Sequence, residues 1–191
     1  MSTLLRIAPM VASGLVVLLL SGCGDGQKSV SEIAEGLQDP SAKNRHRATK
    51  QLGNREGAAQ ESVADLTRAL QDGDVKVRRG AVRSLGKIGP KAQEAAPWMS
   101  KALQDKDLKV RTGAAKALGK LGPESASTSV PALIAALRDR DPKVRHAAAV
   151  SLGGIGPAAR AAIPALQRAL NDSVKRVHDA ADMALKRIQE S

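Results

Sequence analysis

Chemistry in a protein needs nucleophiles, acids, bases or metal ligands at workable spacing, and this chain offers few. Its 191 residues contain one cysteine, Cys23, and three histidines, His46, His146 and His178, far apart in the sequence. A single thiol forms no internal disulfide and brings no second sulfur to a metal site. No His-Glu dipeptide, no Gly-rich phosphate loop and no Gly-x-Ser-x-Gly elbow occurs. The expectation is a protein without catalytic residues, metal or cofactor. Charge is the abundant commodity: 30 Lys and Arg oppose 19 Asp and Glu, a formal net charge of +11. With no Phe, no Tyr and one Trp, the core must be made of Leu, Ala, Val and Ile, which suits closely spaced helices.

The lone thiol has a distinctive setting. The segment MSTLLRIAPMVASGLVVLLLSGCGDG carries Arg6, an apolar run from Ile7 to Leu20, then small residues. As a membrane span the run is short and holds Pro9, whereas a signal peptide has these parts in this order. Leu20–Cys23, LSGC, resembles the bacterial lipobox. That resemblance implies removal of residues 1–22, acylation of Cys23, a short tether over 23–29 and a lipid-anchored protein of the cell envelope. The plainer alternative is an ordinary signal peptide with an incidental Cys. Gly24 follows the Cys and Asp25 comes one later; an Asp directly after it would signal inner-membrane retention in enterobacteria, so the order leans toward the outer membrane. Cleavage removes one cation, taking the charge from 30 − 19 = +11 to 29 − 19 = +10. An exported basic protein points to acidic protein surfaces or anionic envelope components before nucleic acid.

The elements that would present such charge are repeats. Leu37, Leu70, Leu103, Leu137 and Leu170 head the same phrase, with spacings of 33, 33, 34 and 33. Asp follows two later in every unit: Asp39, Asp72, Asp105, Asp139 and Asp172. Val77, Val110, Val144 and Val177 come seven after the Leu, and Arg45, Arg78, Arg111 and Arg145 eight after it, with His178 in the last unit. Each unit reads as two helices. In unit four Pro131 suits the first turn of the first helix. Val144, Ala148, Leu152 and Ile155 make the apolar stripe of the second. Asp74, Asp107 and Asp141 are placed as N-caps, and Gly156–Pro157 as a left-handed cap and stop. One hairpin cannot bury both of its faces but stacked neighbours can, so residues 30–191 read as five units with altered ends.

The pattern D-x-x-V-R-x-x-A-x-x-x-L-G-x-I-G, followed by A-x-x-x-x-P-x-L, resembles HEAT repeats of the bilin-lyase-like subtype. The resemblance implies an all-α, right-handed solenoid of about five HEAT-like hairpins, with second helices lining the concave face. It also implies a structural ladder in which Asp74, Asp107 and Asp141 pair with Arg78, Arg111 and Arg145, within or between units.

Function should sit at the positions that folding leaves free. Six, nine, thirteen and seventeen residues after each Leu, one face of the second helices carries mostly cations. In units two and three these are Lys76, Arg79, Arg83, Lys87, Lys109, Lys116 and Lys120. Such a face is either merely solvated or a binding surface for an acidic partner. Trp98 stands where other units have Ala132 and Ala165; it either packs over the neighbouring loop or serves as a partner anchor. The expected function is a membrane-anchored scaffold that binds protein partners through a basic concave face. The alternative is a lyase- or isomerase-type enzyme, or enzyme subunit, acting on an anionic ligand.

Overall fold

The structure, a computed structural model, describes residues 28–55 and 60–190. The expected signal peptide 1–22, Cys23 and residues 24–27 of the expected tether lie outside the described residues, as do 56–59 and Ser191. The described residues form ten α-helices: α1 Val30–Glu35, α2 Ala42–Leu52, α3 Val63–Ala69, α4 Val75–Ile88, α5 Ala96–Ala102, α6 Leu108–Lys120, α7 Ala126–Ala136, α8 Pro142–Ile155, α9 Ile163–Ala169 and α10 Lys175–Gln189. Short 3₁₀ turns join α1 to α2, α4 to α5, α6 to α7 and α8 to α9, and no strand occurs among the described residues. Each odd-numbered helix packs on the next even-numbered one, making five hairpins. The even-numbered helices stack in the order α2, α4, α6, α8, α10 and form one layer of the solenoid.

Local sequence sets the ends of these helices. The side chains of Asp74, Asp107 and Asp141 accept hydrogen bonds from the N–H groups of Lys76, Val110 and Lys143, satisfying donors that the first turn leaves free. At the other end Gly89 (φ 64, ψ −133) and Gly156 (φ 70, ψ −141) stop α4 and α8. Their positive φ is as expected, but ψ lies outside the left-handed helical well, in a region open to glycine and costly for any residue with a Cβ.

The stripe is buried as its spacing predicts. Val77, Ala81, Leu85, Val110, Ala114, Leu118, Val144, Ala148 and Leu152 are inaccessible to solvent. Between stacked helices the spacing is set by a second column, of glycines. A Cβ on Gly53 would come within 2.8 Å of the Ser84 backbone, on Gly119 within 2.9 Å of Ser151, and on Gly153 within 2.9 Å of Ala184. Each Gly of one unit thus meets a small residue of the next, and the helices approach closely there. In α10 the same column holds Lys186, which is exposed and paired with Asp182.

Pro131 lies inside α7, not in its first turn. Unit four is one residue longer than its neighbours, and the segment before Pro131 winds as α-helix from Ala126, where units three and five have a seven-residue 3₁₀ turn. Proline cannot donate to the carbonyl of Ser127, but Ser127 is exposed, so water can take that place.

Candidate functional site

Adjacent units are riveted by arginine. Arg78 donates from Nε to Asp105 Oδ2 at 2.7 Å and from Nη2 to Oδ1 at 3.1 Å. Its Nη1 donates to the carbonyls of Asp72 and Gly73 in its own unit. Arg45 does the same with Asp72, Arg111 with Asp139 and Arg145 with Asp172. Each of these carboxylates also accepts from the N–H two residues on, as Asp105 does from Asp107 at 2.8 Å. The ladder therefore runs between units and uses Asp72, Asp105, Asp139 and Asp172. Asp74, Asp107 and Asp141, expected as its carboxylates, are the N-caps instead. Local spacing favours an Asp74–Arg78 pair one helical turn apart, but stacking sets each Arg against the turn of the following unit. His178, at the Arg position of the last unit, turns to Asp179 at 3.1 Å.

These pairs shape the titration of the turns. Hydrogen bonds from Arg45 and Arg145 hold the carboxyls of Asp72 and Asp172 below their ordinary value. Burial pushes Asp105 upward, but the bonds from Arg78 and the Asp107 N–H outweigh it. A further bridge joins units two and three alone: Arg79 Nε donates to Asp107 Oδ1 at 2.8 Å. That bond brings the Asp107 carboxyl down to about 2. Arg79 was expected on the free basic face; its charge is committed to the scaffold.

Most of the remaining cations converge. A groove of about 510 Å³ runs between α4 and α6. Its buried lining is Val82, Gly86 and Ala117, and its exposed lining is Arg83, Lys87, Lys109, Lys116, Lys120 and Lys143, with Arg79 half-buried. Lys87 Nζ donates to Asn54 Oδ1 at 2.6 Å, a neutral partner. Arg83, Lys109, Lys116 and Lys120 form no ion pair with any described carboxylate. The small side chains that let α4 and α6 approach also leave the recess between the long cations. Such an arrangement supplies several unneutralised charges over an apolar floor, suited to a carboxylate- or phosphate-rich ligand. Lys76 is exposed but does not line the groove.

A profile described as HEAT repeats matches residues 30–95 and 130–191, and one described as PBS lyase HEAT-like repeat matches residues 110–139. The chain belongs to the HEAT-repeat family. Solved structures agree on the fold of this HEAT-repeat chain. The complex of CpcE and CpcF of phycocyanin lyase from Nostoc sp. is similar with a TM-score of 0.70 and 29% identity, over 89% of this chain and 69% of that one. An engineered protein is similar with a TM-score of 0.69 and 21% identity, over 85% and 80%. A designed armadillo repeat protein in complex with a (KR)4 peptide is similar with a TM-score of 0.68 and 18% identity, over 84% and 82%. No curated protein sequence matches the chain significantly.

The other end of the same HEAT layer differs in character. A groove of about 260 Å³ between α8 and α10 is lined by His146, Val150, Gly153, Arg176, Met183 and Arg187, among others. Val150 and Met183 are 47% and 53% exposed. His146 is held below its ordinary value by burial first, then by Arg176 and Lys116, which disfavours its charged form. Trp98 lies on α5 in the first-helix layer, away from both grooves. It is 37% exposed, and the Lys101 ammonium stands 4.4 Å from its ring centroid, a cation–π contact. The Arg79–Asp107 bridge and this apolar second groove are what sequence reasoning missed. Val150 and Met183 in an otherwise basic column were the available signal for the latter.

Proposed function

We propose that this HEAT-repeat protein is an envelope scaffold, lipid-anchored through Cys23, that binds an acidic partner surface along the groove between α4 and α6. The observation that carries the reading is the convergence of Arg83, Lys109, Lys116 and Lys120 on one recess with no described carboxylate to neutralise them. Four cations on two neighbouring helices repel one another, and like-charged neighbours cost about 0.2–0.5 kcal/mol per pair on a helix surface. An anionic partner relieves that repulsion and is drawn in over a Debye length, about 8 Å at physiological salt. The protein acts as a binding module and not as an enzyme. Anchoring rests on the LSGC sequence before a single Cys, and places the groove close to a membrane, facing the periplasm or exterior.

Capture from the organism's envelope tests this. The lipidated protein should retain partners at low salt and release them at high salt; a set of bound proteins unchanged by salt contradicts an electrostatic groove. A second reading, an enzyme subunit acting on an anionic ligand, is favoured by the 29% identity to the CpcE–CpcF lyase complex. It predicts that captured material includes a small anionic ligand whose covalent structure changes on incubation.

A further inference from the structure

We infer that the partner segment is bipartite: an acidic stretch of extended chain over the α4–α6 groove, joined to aliphatic side chains over the α8–α10 groove. The inference rests on the acidic-partner reading of the first groove and names what continues from it. Both grooves lie on one layer, because α4, α6, α8 and α10 stack in that order. One column crosses both and changes chemistry on the way: Arg83 and Lys116, then Val150 and Met183. A neighbouring column runs Lys87 and Lys120, then Gly154, around which a Cβ would meet nothing within 4 Å.

Val150 and Met183 have no part in the fold that would explain them. The cores of α8 and α10 are made by Val144, Ala148 and Leu152 and by Val177, Ala181 and Leu185. Two half-exposed apolar side chains therefore flank a recess floored by Gly153, Ala180 and Ala184. Removing them from water is favourable for any aliphatic group that enters. Arg176 and Arg187 at the rim keep the potential positive there, and the one acid present, Asp179, is already bonded to Lys175 and His178. Length follows from the stacking. Packed helices lie about 8–10 Å apart, so grooves two helices apart are roughly 20 Å from each other. An extended chain rises about 3.3 Å per residue, so about six residues span the gap. A chain can enter both recesses, whereas a flat bilayer meets the tips of the cations first.

Fluorescence anisotropy with labelled peptides tests the inference, using the full chain in a nonionic detergent. The probes are Glu-Asp-Glu-Asp alone, and the same tetrapeptide joined to Leu-Leu through two or six Gly-Ser residues, in both chain directions. In one direction the six-residue linker should bind about tenfold tighter than the acidic tetrapeptide, equivalent to about 1.4 kcal/mol. The two-residue linker should show no such gain. The gain should vanish in Val150→Ser/Met183→Ser, whose exposed sites leave helicity intact, while the acidic tetrapeptide binds that variant unchanged. Equal binding of all probes, still abolished by Arg83→Glu/Lys116→Glu, overturns the bipartite inference and leaves the basic groove standing. No low-salt binding of the acidic tetrapeptide overturns the groove reading and this inference with it. If vesicles of anionic phospholipid bind more tightly than every peptide, and lose that advantage in Val150→Ser/Met183→Ser, the apolar end belongs to a membrane and the inference fails.

Discussion

Replacing Arg78 by Met tests the inter-unit ladder at one of its two most buried rungs, the other being Arg111–Asp139. The side chains of Arg78 and Asp105 are 8% and 12% exposed, and their closest contact is 2.7 Å. Met keeps most of the aliphatic volume but removes both bonds to Asp105 and the two to the Asp72 and Gly73 carbonyls. The Asp105 carboxylate is left largely, though not fully, out of solvent with the Asp107 N–H as its remaining bond. Breaking a buried pair from one side costs about 3–5 kcal/mol; some solvent contact remains here, so about 3 kcal/mol is expected. In a domain of this size each kcal/mol lowers the melting temperature by about 2–4 °C. Circular dichroism melting should therefore fall by about 6–12 °C, while the surface control Arg83→Met stays within a degree or two. Arg78→Lys should fall between them, since an ammonium keeps the charge but not the fork. The double variant Arg78→Met/Asp105→Asn should lose less than the sum of the singles, because no buried charge is then unpaired. Strict additivity, or a melt for Arg78→Met matching the parent, would refute the ladder as the rivet between units two and three.

Gly153→Ala drives a Cβ to 2.9 Å from the Ala184 backbone and should cost about 1–3 kcal/mol in urea denaturation. Gly154→Ala, one residue on in open space, should instead stabilise by about 0.5–1 kcal/mol through helix propensity. Folding lowers the Asp107 carboxyl from 3.8 to about 2. Its stabilisation is therefore complete above about pH 4 and disappears as pH falls toward 2, in the same direction as Asp72, Asp105 and Asp172. Stability should fall a little from neutral pH to about 5, because His146, held below its ordinary value, resists the proton that the unfolded chain takes up, and drop more steeply below 4. Arg79→Ala should flatten part of that acid limb, and an identical limb in the variant counts against the Arg79–Asp107 bridge. Metabolic labelling with a fatty-acid analogue should mark the parent and not Cys23→Ser, and equal labelling of both would dispose of the lipid anchor.

Much of the architecture was legible because stacking forces repetition. The Leu, Val and Ala–Leu columns recur every 33 or 34 residues since each must meet the same neighbour in every unit. The Asp caps were readable from local geometry alone. The ladder was harder: two Asp columns recur, and only the stacking decides which one faces Arg78. Pro131 misled because one extra residue upstream re-winds the turn before it. Within the candidate site, helical spacing grouped Arg83, Lys87, Lys109, Lys116 and Lys120 on one face, and the structure brings them around one groove. Arg79 sits in the same register, yet a carboxylate 28 residues away claims it, which no periodicity can reveal. The apolar groove was not legible because two residues, Val150 and Met183, are too short a pattern to stand out from a column that is otherwise basic.

The central claim is that the α4–α6 groove binds an acidic partner, and charge reversal at Arg83 and Lys116 measures it most directly. Both side chains are exposed and off the apolar stripe, so Arg83→Glu/Lys116→Glu should keep the parent's helicity and melting. Partners captured from the envelope should be titrated against the parent and this variant across a series of salt concentrations. The account predicts weaker binding at low salt and a shallower dependence of affinity on salt in the variant, the two converging at high salt. Equal affinity of parent and variant at low salt would contradict it and leave these cations as a solvated face.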